Sequence, residues 1–322
     1  MTNQMKFVAI TGPTASGKTT LAVKLARHFN GEIISADSRQ VFRGMDLGTG
    51  KDLAEYQEIP YHLIDIVDPA GIYHLKRFMD DSAVALAGII KRGALPFFCG
   101  GTALYLDAIL RGYELSGGEP DFLRRDELRV KSATELAKRL RALSPELYLS
   151  LDAPGLNNHE RLLRMLEKAQ KSKETTVNNE IFKRCEKLII GVYFPRSEIR
   201  SRIEERLERR LSEGMIEEVA KLHDNAGVSW ERLELFGLEY RAIAEYLQGK
   251  TDLETMRNSL LIKIRQFAKR QDIWFRKMER SGLVIHWIEK GDYEQSAKLI
   301  DDFLNHRQLP QPKIRLNDIR YG

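Results

Sequence analysis

The chain has 322 residues with 43% hydrophobic and 30% charged residues, which excludes a disordered or collagen-like protein and allows one large core or a core with an insert. A formal net charge of +5 mildly favours an anionic partner. Two cysteines, Cys99 and Cys185, are too few for a disulfide framework or a thiolate zinc site and read as small buried apolar residues.

In chain order, "FVAIT" (Phe7 to Thr11) reads as a buried parallel strand. The stretch from Thr19 to Phe29 reads as a helix with Leu21, Leu25 and Phe29 on one stripe. Between them lies "GPTASGKT", which fits G-x-x-x-x-G-K-[ST]. Its residues Gly12, Pro13, Thr14, Ala15, Ser16 and Gly17 would wrap backbone amides around phosphate oxygens. Lys18 would span two phosphates and Thr19 would ligate Mg2+. A diphosphate or triphosphate, ATP included, is the expected ligand.

"GEIISAD" is a second strand that delivers Asp37 to the edge of the sheet, where open parallel sheets bind ligands. Asp37 is a candidate general base; the alternative is a turn or cap aspartate. A helix over Leu75 to Lys91 leads to a third strand, "LPFFCGG". That strand ends in glycines where a kinase would place a second magnesium carboxylate, leaving Asp65 in "HLIDI" as the other candidate.

From Tyr113 onward the strand signal stops and leucine- and arginine-rich helical segments take over, until "KLIIGVYF" (Lys187 to Phe194) resumes the sheet. Pro195 and Arg196 then open a long charged helix, most of which reads as a solvated face. On the late segment "SLLIKIRQFAKRQDIWFRKM", Leu260, Ile264, Phe267, Gln271, Trp274 and Met278 fall at helical spacing. Apolar spacing predicts that the aromatics Phe267, Trp274 and Phe275 are mostly core, with a basic opposite face suited either to nucleic acid or to solubility. A tail from Asn305 reads as extended. The expected architecture is α/β, a P-loop NTPase-like parallel sheet flanked by helices with a helical insert. The expected divisions are 1–112 (core), 113–186 (insert) and 187–322 (core completion, basic helices and tail). No run is long and apolar enough to span a bilayer and no signal pattern is seen, so cytoplasmic residence is expected.

Taken together, "GPTASGKT", "DSRQVFRGMDLGTGK", "HLIDI", "GGTALY", "ERLLRMLE", "RIEERL" and "RQFAKRQDIWFR" resemble the tRNA dimethylallyltransferase family in order and spacing. The resemblance implies that the phosphate loop holds the diphosphate of dimethylallyl diphosphate, with Mg2+, and that the acceptor is the N6 amine of the adenosine 3′ to the anticodon of a tRNA. It implies Asp37 as the base, Thr14 as a loop hydroxyl at the diphosphate and Arg206 as a cation near the leaving group, with Arg202 beside it. It places tRNA contacts at Asp37, Ser38, Arg39, Gln40 and Thr102, at Arg124, Arg161 and Arg164 in the insert, and at Lys269, Arg270 and Gln271. A tRNA-binding insert and a monomer are expected. The sequence departs from the family pattern at Phe42, Gly50, Ile264 and Ile273. A small-metabolite kinase, a prenyltransferase acting on free adenine nucleotides and a non-catalytic RNA-binding protein are the competing readings.

Overall fold

The computed structural model describes residues 4–113, 127–170 and 180–319. Its centre is a six-stranded sheet, all parallel, in the order β3-β2-β4-β1-β5-β6. The strands are β1 (Lys6–Thr11), β2 (Gly31–Ser35), β3 (Tyr61–His62), β4 (Leu95–Gly100), β5 (Glu186–Tyr193) and β6 (His286–Glu289). The expected α/β parallel sheet is therefore present. β1 lies between β4 and β5, and residues 7–11 and 96–100 of these central strands are buried, as they must be where helices cover both faces.

One face packs Val8, Ile10, Ile33, Phe97 and Ile190 against Leu21 and Leu25 of α1 (Lys18–His28). On the other face Phe7 meets Phe98 edge-on at 5.1 Å, and Phe98 meets Phe182 at 6.2 Å. A second core joins Val41, Phe42 and Met45 of the loop after β2 to Ile203 and Leu207 of the helix Arg196–Ser212, the arginine helix. The same core takes in Leu260 and Ile264 of the 28-residue helix Leu253–Arg280, the long helix. Its first turn is capped by the Asp252 carboxylate, which accepts from the Thr255 N–H at 2.8 Å.

The chain divides into two compact units, Met1–Gly112 with Glu180–Gly322, and Tyr113–Asn179. The return to the larger unit comes before position 187, the expected boundary, because the short helix Glu180–Arg184 buries Phe182 against that unit's sheet. The smaller unit has its own leucine core, including Leu136, Leu140, Leu162, Leu163 and Leu166. Its helix Ala133–Leu143 begins with a reciprocal cap between Ser132 and Glu135. β3 and β6, at two and four residues, have no counterpart in the sequence reading. Among the described residues no helix is long and apolar enough to cross a membrane.

Phe97 is fully buried in the middle of β4, so Phe97→Ala leaves a cavity beneath α1. It is expected to lower the unfolding free energy by about 3–5 kcal/mol in urea denaturation. A loss below about 1 kcal/mol would contradict this packing.

Candidate active site

Three loops leave the carboxyl ends of β1, β2 and β4 and line one cavity of about 980 Å³, together with the arginine helix and the long helix. The first is the glycine loop, which turns into α1 at Gly17 with a left-handed φ of 77°, so that Lys18 is the first helical residue. The second carries Asp37, whose Oδ1 accepts from the Arg39 N–H at 3.0 Å, a local turn that orients the carboxylate. The third is Gly100 to Thr102. Thr102 Oγ1 accepts from the Ser38 N–H at 3.0 Å, which ties the third loop to the second. Lys18 and Asp37 line the same cavity and interact electrostatically.

Cations gather around the glycine loop. The Arg206 guanidinium donates to Thr14 Oγ1 at 3.0 Å, and Arg202 Nε donates to the Ala15 carbonyl at 2.8 Å. Asp52 Oδ2 faces Arg210 Nη2 at 3.3 Å and Arg206 Nη2 at 3.8 Å. Burial lowers the Arg206 pKa to about 10, with Arg210 acting in the same direction and Asp52 against it. Burial also lowers the Lys18 pKa, opposed by Cys99 and Asp37 and reinforced by Arg206 and Arg210. Glu239, in the same cavity, is raised by burial, with Arg210 and Arg206 opposing. Gly50 leaves room for this cluster as it stands: a Cβ there would lie 1.9 Å from Arg210 Nη2 and 2.0 Å from Arg206 Nη2, and its φ of +66° suits glycine.

The loop bearing Gly50 and Asp52 is held from behind. The Glu218 carboxylate accepts from the N–H groups of Asp46 (2.8 Å), Leu47 (2.6 Å) and Gly48 (3.1 Å), and from the Tyr240 hydroxyl at 2.8 Å. Lys51 is fully buried, and its ammonium donates to the Phe42 carbonyl, Asp46 Oδ1 and Asp65 Oδ1. Three donors meet three acceptors, so the buried charge is fully paired. Asp65 is thereby corrected from magnesium candidate to structural partner: it pairs with Lys51 and is absent from the cavity wall.

Other expected residues distribute unevenly. Ser38, Arg39 and Thr102 line the cavity, with Arg39 stacked over Phe236 at 5.3 Å. Gln40 reaches the same wall, but its amide accepts from Ser35 Oγ at 2.7 Å and donates to the Gly50 carbonyl at 3.0 Å, which occupies it within the protein. Gln271 is only 5% exposed and lines the cavity with its amide bonded within the protein, whereas its neighbours Lys269 and Arg270 are exposed, Arg270 at the cavity's edge. Of the three aromatics expected in the core, Phe275 is buried there, whereas Phe267 and Trp274 instead line the cavity half-buried. In the insert, Arg161 and Arg164 are exposed on the helix His159–Gln170, and Arg161 pairs with Asp152 at 3.0 Å. Arg124 lies outside the described residues. Nothing in the sequence alone marks Asp52, Glu218 or Glu239. Spacing of four between Arg202, Arg206 and Arg210 does place them on one helix face, a signal masked by the glutamates between them.

Fold and site together define a P-loop α/β enzyme with an acidic side chain and a cationic phosphate loop in one cleft. The family model described as IPP transferase matches residues 40–278, and that described as isopentenyl transferase matches residues 5–59. The chain is 48% identical over 283 residues to tRNA dimethylallyltransferase 2 of Syntrophotalea carbinolica, covering 88% of this chain and 94% of that protein. It is also 48% identical over 297 residues to tRNA dimethylallyltransferase 1 of Geotalea uraniireducens, covering 91% and 96%. Among solved structures, the full-length tRNA isopentenylpyrophosphate transferase of Bacillus halodurans is 33% identical, with a TM-score of 0.67 over 94% of this chain and 96% of that one. A eukaryotic dimethylallyltransferase acting on tRNA matches in fold, with a TM-score of 0.80 at 24% identity, covering 95% of this chain and 81% of that one. This chain belongs to the tRNA dimethylallyltransferase family.

Glu218→Ala deprives three backbone donors and one hydroxyl of their acceptor. It is expected to lower the unfolding free energy by about 2–4 kcal/mol, against about 0.5–1.5 kcal/mol for Tyr240→Phe. Equal losses in urea titrations would show that the backbone contacts are not the main contribution.

Proposed function

We propose that this enzyme transfers the dimethylallyl group of dimethylallyl diphosphate to the exocyclic N6 of the adenosine 3′ to the anticodon in tRNA. The observation that carries the reading is the placement of Asp37 and the Thr14–Lys18 loop on one cavity wall, with Arg206 bonded to Thr14. The amine attacks the carbon bonded to diphosphate; the C–N bond forms as the C–O bond breaks. Diphosphate leaves with the bonding electron pair, and the amine's proton passes to the Asp37 carboxylate. Loop amides, Lys18 and Arg206 bind the departing anion, and Arg202 braces the loop through the Ala15 carbonyl.

Mg2+ fits this site as an ion held chiefly by the substrate. Thr19 at the start of α1 offers one hard oxygen donor, and among the described residues no group of three or more histidine, cysteine, aspartate or glutamate side chains could hold a metal. Few protein ligands and several phosphate oxygens suit magnesium, which would neutralise charge on the leaving group. Exposed Lys269 and Arg270, together with Arg161 and Arg164 of the insert, are proposed to grip tRNA phosphates. Phe267 and Trp274 offer stacking surfaces to a base that has left the anticodon stack, and Ser38, Arg39 and Thr102 offer polar contacts beside it. Against a kinase stands the end of β4: Gly100 and Gly101 occupy the position where a phosphoryl-transfer enzyme would carry a second magnesium carboxylate.

Incubation with labelled dimethylallyl diphosphate, Mg2+ and unmodified tRNA is expected to label tRNA adenosine and not free AMP, ADP or ATP; the reverse pattern would refute the assignment. Asp37→Ala is expected to lower turnover by about 100- to 10,000-fold with donor affinity nearly unchanged. Equal losses in both would remove Asp37 from the base role. Replacing Lys269 or Arg270 with alanine is expected to reduce the salt slope of tRNA binding by about one each. An unchanged slope would place the phosphates elsewhere.

A further inference from the structure

Gln271 joins three segments that are remote in sequence. Its Oε1 accepts from the Thr14 N–H at 2.8 Å, and its Nε2 donates to the Gly101 carbonyl at 2.8 Å. The residue is 5% exposed, so both bonds are shielded from water. Gly101 permits the approach, since a Cβ there would lie 2.6 Å from Nε2. The neighbouring Thr102 is bonded to Ser38, one residue from Asp37. One amide therefore ties the phosphate loop to the turn that orients the Asp37 loop. It does so from the helix whose preceding residues, Lys269 and Arg270, face solvent.

From this geometry we infer that Gln271 is a positioning residue, setting the separation of the donor loop from the base-bearing loop, and not an RNA contact. The inference rests on the prenyl-transfer reading. A neutral amide is required because it must accept from an N–H and donate to a carbonyl at once; among residues of this length neither a carboxylate nor an ammonium does both. A shift of about 1 Å between the two loops would misalign amine, carbon and leaving group, an error worth about 100-fold in rate.

The test compares Gln271→Met, which keeps length and loses both bonds, with Gly101→Ala, whose Cβ presses on the Gln271 amide from the opposite side and leaves the long helix's own sequence unchanged. Single-turnover prenyl transfer is measured at saturating dimethylallyl diphosphate and tRNA, beside tRNA binding and thermal unfolding. Both variants are expected to slow the single-turnover rate by about 10- to 100-fold, with the tRNA dissociation constant within about threefold of wild type. If Gln271→Met weakens tRNA binding while the saturated rate is unchanged, the residue is an RNA contact and the inference is overturned. It is also overturned if Gly101→Ala, folded as judged by its melting, reacts at the wild-type rate. Should Gln271→Met fail to fold, Gly101→Ala alone decides. The wild-type reaction run alongside reports separately on the function: absence of transfer there contradicts the prenyl-transfer reading itself.

Discussion

The hydrogen bond from Arg206 to Thr14 Oγ1 is the contact on which the site's organisation depends. It brings a guanidinium whose pKa burial has lowered to about 10 onto a loop that already presents Lys18. Like charges at this spacing repel, more strongly as water is excluded. Asp52 offsets part of that repulsion by pairing with Arg206 and Arg210. Asp52 holds its place because Glu218 fastens the preceding turn through three backbone amides, and because Gly50 leaves room for both guanidiniums. On the proposed reading a diphosphate supplies the remaining negative charge, so the cations are arranged for a leaving group before it binds.

The parallel sheet makes this arrangement possible. All three functional loops exit strands at the same edge, and β1 sits between β4 and β5, so the glycine loop has support on both sides. The arginine helix and the long helix share a core with the loop after β2, through Ile203, Leu207, Leu260 and Ile264 packed with Val41 and Phe42. The charged faces of two helices are thus fixed by their apolar faces. Gln271 adds a polar fastening between the long helix and the phosphate loop, beside the apolar packing of Ala15 in the core that holds Ile264 and Ala268.

Much of this was legible in the residues. The glycine loop is readable because phosphate binding demands a fixed pattern between a strand and a helix, and Asp37 because it ends the next strand. Side chains whose role depends on distant partners were not. Asp65, a magnesium candidate by its place after an apolar run, is the partner of buried Lys51. Phe267 and Trp274 share the spacing of Leu260 and Ile264, yet a cavity replaces the core where the helix passes the active site. Gln271 sits in a basic segment that the family resemblance assigns to tRNA, and only the backbone of Thr14 and Gly101 shows where its amide goes. β3 and β6 are too short to show any alternation.

The most direct test of the account is a crystal structure with a non-hydrolysable dimethylallyl diphosphate analogue and an anticodon stem-loop. The account predicts the diphosphate over the Thr14–Thr19 amides and the target adenine N6 within about 2.6–3.2 Å of the Asp37 carboxylate, or one water away. An adenine seated away from Asp37, or an analogue bound outside the glycine loop, would contradict it.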